Sequence, residues 1–140
     1  MERFYGWQTA PKAANELYDL LKPIWAADTC APRMRAAWSE ANPTKGQCSI
    51  TAFLVQDLLG GEVYGVPLGD GNYHCYNVVD GCVFDLTSAQ FGNERLDYAC
   101  RFPQSREVHF VKEEKRQRYE LLKSRLLSRM AENGKPAEKS

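Results

Sequence analysis

One stretch constrains this chain more than any other. From Cys48 to Leu59 it reads CSITAFLVQDLL. Wound as a helix, Ile50, Ala52, Phe53, Leu54, Val55, Leu58 and Leu59 cover nearly every side. A helix that is apolar all round has to be enclosed by the rest of the molecule. Gly60-Gly61 stops it. Just upstream, Thr44-Lys45-Gly46-Gln47 fits a capping box, with Thr44 at the cap and Gln47 three residues on. With 140 residues, the chain is long enough to wrap such a helix within one domain.

The flanking sequence supplies the wrapping. Ala10 to Trp25 carries Leu17, Leu20, Leu21 and Ile24 at helical spacing, with Pro23 set to end or bend it. Ala31 to Trp38, with Pro32 near its start, suits a second short helix. Past Gly61 the period changes. Glu62 to Leu68 reads as a strand, and Gly69 to Asn72 as a loop. Tyr73 to Val79 and Cys82 to Leu86 read as strands joined by Asp80-Gly81, a strong hairpin signal. Thr87 to Phe91 suits a short helical turn, and Glu107 to Val111 another strand. Lys112 to Met130 forms an amphipathic helix with Tyr119, Leu122, Leu126 and Met130 in one stripe. Helices, then an antiparallel sheet, then a long closing helix predict an α+β fold. A single domain is expected over residues 1–133, with 134–140 as a flexible tail.

Composition narrows the function classes. Lys and Arg balance Asp and Glu at 18 each, so no global field draws the chain to nucleic acid or to a membrane. Between Lys112 and Arg129, seven Lys or Arg stand against three Glu. Without interleaved aromatics or glycines this reads as a solvated helix face, not a nucleic-acid platform. No segment has the apolar length of a membrane span, and the start has no signal-peptide run. A cytosolic location is expected, with the five cysteines (30, 48, 75, 82 and 100) as thiols.

Cys48 is the residue with chemical promise. A helix amino end favours an anion, so a cysteine there has a depressed pKa. His74 is its candidate partner. If the hairpin pairs Val79 with Cys82, alternation puts His74, Tyr76, Asp85 and Thr87 on one face, with His74 and Asp85 diagonal neighbours. Asn77 falls on the other face, as do Cys75 and Cys82. Those two cysteines lie about 13 Å apart along the ladder, too far for a disulfide. The same alternation argues against His74 and Cys75 sharing a zinc ion, and the chain has no C-x-x-C. Cys30, Cys100 and His109 carry no signal of their own.

Gly46-Gln47-Cys48 opening an apolar helix, His74-Cys75-Tyr76 on a strand and Asp85-Leu86-Thr87 past a hairpin resemble the transglutaminase-like branch of the papain-like cysteine hydrolase superfamily. The runs ENPTKGQCSITAFLVQDLLGG and DGCVFDLTSAQF, between Glu40 and Phe91, resemble the small bacterial YunG family. The resemblance implies a papain-like core in which the Cys-bearing helix packs on an antiparallel sheet. It implies Cys48 as nucleophile, His74 as its base and Asp85 as the residue orienting His74. The Cys48 backbone N–H is then the oxyanion donor, with Gln47, Tyr76 and Trp38 as oxyanion or substrate candidates. Tyr76 and Leu86 stand where such enzymes often carry Trp and Pro, which weakens transamidation relative to hydrolysis. The expected activity is a thiol hydrolase or acyltransferase acting on an amide or ester, with no cofactor or metal. The specificity surface is expected in the N-terminal helices, the 69–72 loop and residues 92–106. The alternative is a binding module with a vestigial triad, recognising a peptide, a nucleotide or a partner protein.

Overall fold

A computed structural model describes residues 11–92, 94 and 96–138, with side chains described as far as residue 132. The element order is α1 (Lys12–Leu21), α2 (Cys48–Leu59), β1 (Glu62–Pro67), β2 (Tyr73–Val79), β3 (Cys82–Phe84), β4 (Phe102–Pro103), α3 (Arg106–His109) and α4 (Glu113–Glu138). Short 3₁₀ turns occupy Ala27–Thr29, Pro32–Ala37 and Ser88–Phe91. The sheet is antiparallel, in the order β3-β2-β1-β4. The architecture is the α+β arrangement expected, with an antiparallel sheet and a long C-terminal helix.

The apolar helix α2 lies at the centre, as its composition requires. Ile50 through Val55 are all buried. It packs on the sheet face formed by Val63, Cys75, Val79 and Phe84, and Leu17, Leu21, Trp25, Tyr119, Leu122 and Leu126 close over it. Polar anchors fix its rotation. The Trp25 indole donates to Thr51 Oγ1 at 2.9 Å, and the Asn77 amide donates to the Ala52 carbonyl at 3.0 Å. The opposite sheet face has its own smaller cluster of Val66, Tyr76 and Val78, covered by Tyr64, Val83, Leu96 and Tyr98.

The β2–β3 hairpin has the anticipated register, Val79 opposite Cys82 and Asn77 opposite Phe84. Asp80 and Gly81 both take positive φ, 51° and 80°, the geometry of a tight hairpin turn. Other expectations are corrected. Helix α1 spans Lys12–Leu21, ending before Pro23. The Ala31–Trp38 segment winds as a 3₁₀ turn from Pro32 to Ala37. Residues 107–111 are not a strand. Ser105 accepts the Val108 N–H and starts α3, leaving Val108 and Val111 70% and 80% exposed. The local cap outweighs β-propensity where no neighbouring strand rewards extension. Helix α4 continues through Asn133-Gly134 to Glu138, past the expected start of a tail.

The capping box is also absent. Helix α2 starts at Cys48, and Gln47 precedes it without a side-chain cap. The Gln47 N–H donates to the Thr44 carbonyl, closing a turn instead. Thr44 is buried within that turn. Gly46 there has φ +70°, and its carbonyl accepts the Ala31 N–H. A Cβ on Gly46 would come within 2.5 Å of Cys30 Sγ, so only glycine fits. This pinned turn aims the first residue of α2.

Candidate active site

The site exists because β3 is short. In a two-residue hairpin the closing pair, Val79 and Cys82, exchanges both backbone bonds. Alternate residues then face the same way, so the Asn77 and Cys75 backbones also point toward β3. But β3 ends at Phe84, opposite Asn77. The Cys75 N–H therefore meets no strand. Cys48 stands at the amino end of α2, and the thiol and backbone N–H of Cys75 both favour its ionised form. His74 and Cys75, from opposite faces of β2, both interact electrostatically with Cys48.

Asp85 follows directly where the chain leaves β3. Its Oδ2 lies 2.7 Å from His74 Nε2 and accepts the Tyr98 hydroxyl at 2.6 Å. Its Oδ1 accepts the Thr87 N–H and hydroxyl at 3.1 and 3.3 Å. The carboxylate is thus locked from both sides. His74 and Asp85 are each 1% exposed. The pair forms as the hairpin diagonal predicted, although Asp85 and Thr87 lie beyond the strand. Phe91 stands edge-on to the imidazole, centroids 4.7 Å apart, and fixes the ring plane. With Nε2 committed to Asp85, Nδ1 is the atom left to exchange a proton with Cys48.

The electrostatics favour an ion pair. The hydrogen bond from the Cys75 thiol holds Cys48 well below the usual thiol range. His74 adds to this, and together they outweigh desolvation. The helix end acts in the same direction. Cys75 is pushed well above the usual range, first by donating to Cys48 and then by its burial. Burial alone would lower His74, but Asp85 and Cys48 more than offset it and raise it to about 10. Both shifts favour a thiolate on Cys48 beside a protonated His74. Cys48 is only half-buried and opens, with Ser49 and His74, onto a cleft of about 560 Å³.

A family model described as YunG protein matches residues 13–131. The chain belongs to the YunG family. It is 35% identical over 92 residues to the uncharacterised protein YunG of Bacillus subtilis (strain 168), a match covering 66% of this chain and 73% of that relative. No solved structure matches. Among the described residues, no helix of this YunG-family chain is long and apolar enough to cross a membrane.

The remaining sequence candidates do not line the cleft. Gln47 is fully buried, its amide donating to the Ala26 carbonyl at 3.1 Å, so it presents no oxyanion donor. The Tyr76 hydroxyl donates to the Tyr98 and Cys100 carbonyls on the far face of the sheet. The Trp38 indole donates to the Pro43 carbonyl. These three hold loops in place. The cleft is walled instead by the 3₁₀ turn at Ala31–Met34, the 71–74 strand entry, Gln104, and α3 with the start of α4. Sequence reasoning passed over Cys75, because strict alternation set it apart from His74. It also passed over Tyr98, whose contact with Asp85 spans 13 residues of irregular chain. His109 and Lys115 were missed because the first was read as a strand residue and the second as surface.

Proposed function

We propose that this YunG-family chain is a cysteine hydrolase or acyltransferase working through Cys48, His74 and Asp85. The observation that carries this reading is the position of His74, bonded to buried Asp85 at 2.7 Å and lining one cleft with Cys48. The order of the three residues and their likeness to transglutaminase-like enzymes support it. The Cys48 thiolate attacks the carbonyl carbon of an amide or ester. Free N–H groups at the start of α2 face the developing oxyanion. The His74 Nδ1 proton passes to the departing amine or alcohol as its bond to the acyl carbon breaks. Water, or an acceptor amine, then gives a proton to His74 and attacks the thioester, releasing the acyl group and the Cys48 thiolate. Asp85 keeps the imidazole in one tautomer and stabilises its cation throughout.

The test is the pH dependence of iodoacetamide alkylation at each cysteine, read by mass spectrometry. Cys48 should reach its full rate well below the reference thiol pKa of about 8.5. His74→Ala should return it toward that value. If Cys48 titrates like an ordinary thiol in the wild type, the enzyme reading falls and an inactive binding module takes its place.

A further inference from the structure

The cleft beside Cys48 is not electrically neutral, although the whole chain is. Five Lys or Arg line it against one carboxylate, Glu114, which already pairs with Arg118. Elsewhere on α4, Arg116 pairs with Glu113 and Arg125 with Asp28. Lys115 differs. It is half-buried at the cleft, and among the described residues it makes no ion pair with a carboxylate. Its Nζ lies 2.9 Å from His109 Nδ1.

His109 explains how the cation is held without being neutralised. Its Nε2 lies 2.8 Å from Gln104 Oε1, a pure acceptor, so the ring proton sits on Nε2. Nδ1 then accepts from Lys115. Burial, and next the Lys115 charge, keep His109 neutral by lowering its pKa to about 4. Edge-on packing against Phe53, centroids 5.1 Å apart, holds the ring in place. One of the three ammonium donors is used, and two remain for the cleft. Burial lowers the Lys115 pKa, and the attraction of Cys48 partly restores it. Lys115 and Cys48 line the same cleft.

We propose that the acyl substrate of this site carries an anionic group, a carboxylate or phosphate, and that Lys115, steadied by neutral His109, binds it. The proposal rests on Cys48 being the nucleophile. Lys45 and Lys112, which also line the cleft, add to the attraction and to the encounter rate.

Two alkylating reagents of matched size test both layers separately. Iodoacetate carries a carboxylate and iodoacetamide does not. The rate ratio of iodoacetate to iodoacetamide at Cys48, normalised to N-acetylcysteine, should exceed unity by roughly fivefold. Lys115→Met should collapse the ratio toward one, as should raising ionic strength from about 0.01 to about 0.5 M. Lys22→Met, outside the cleft, should not change it. Fast iodoacetamide labelling with a ratio of one in the wild type overturns the anion site and leaves the nucleophile intact. Should Cys48 be inert to both reagents, succinate and inorganic phosphate titrations followed through the His109 imidazole resonances still decide the matter. Saturable shifts with either ion, lost in Lys115→Met, support the site and show which anion it prefers. No shift with either overturns it.

Discussion

At the scale of single residues, His74 and Cys75 both favour the ionised form of Cys48. Cys75 acts through its thiol and its backbone N–H. Cys75→Ala removes the thiol donor and keeps the N–H. The acid limb of Cys48 alkylation should therefore move to higher pH in a rate profile of the purified variant. Asp85→Asn should leave the fold in place yet lower turnover roughly 100-fold or more, because an amide can select the wrong imidazole tautomer. Tyr98→Phe should have a smaller effect in the same assay, since Asp85 keeps its bonds from Thr87. Under the proposed chemistry, a turnover profile should be bell-shaped. The acid limb marks thiolate formation and the alkaline limb falls near pH 10, where His74 loses its proton. His109 gives a stability signature of opposite origin. Its pKa is about 4 in the folded chain and about 6.5 unfolded. Above pH 6.5 both states are neutral and its contribution is complete. As pH falls toward 4 the unfolded state takes the proton first, and stability is lost. His109→Gln should flatten the fall of the thermal midpoint in that window.

At the scale of elements, what matters is where each one stops. Helix α2 begins one residue before Ser49 because the 44–47 turn, with Gly46 at φ +70°, brings the chain against Cys30 and Ala31. Gly46→Ala forces an unfavourable backbone region, costing about 1–3 kcal/mol before any clash. Chemical denaturation should register that loss, and Cys48 alkylation should slow as the helix start is displaced. Strand β3 stops at Phe84, so α2 can approach the open edge of β2. Residues 106–109 form a helix that carries His109 to the cleft and leaves Val108 exposed at 70%. Val108→Lys should accordingly be near neutral in a melt, within about 0.5 kcal/mol, as for an ordinary surface position. A residue paired within a sheet would not tolerate that change so well.

At the scale of the molecule, α4 serves both the core and the site. Tyr119, Leu122 and Leu126 seal α2, while Lys115 and Arg118, a turn earlier, line the cleft. Long-range ties fasten the helix. Arg118 donates to the Thr29 carbonyl at 3.1 Å, Arg125 pairs with Asp28, and the Tyr119 hydroxyl bonds Asp57. Leu122 is fully buried, so Leu122→Ala should cost about 2–5 kcal/mol in equilibrium unfolding. That loss should precede any change in the chemistry of Cys48 in the fraction still folded.

Local pattern alone determined the central helix, the hairpin and its register, and the closing helix. Each follows from a short-range period or a turn residue: the all-round apolarity of 48–59, the Asp80-Gly81 pair, and the Tyr119–Leu122–Leu126 stripe. The pairing of His74 with Asp85 was legible too, because hairpin geometry carries side-chain direction over a few residues. Tertiary structure alone decided what those patterns do not encode. It gave the 106–109 segment to a helix, where no strand was present to pair with it. It turned Gln47 into an internal tie to Ala26, spent Tyr76 on the far face, and set Cys75 against Cys48. It also placed Lys115 at the cleft beside His109. These outcomes depend on contacts across tens of residues, and on which backbone groups a short β3 leaves open. A period of two or of 3.6 residues holds no information about a neighbour that is absent.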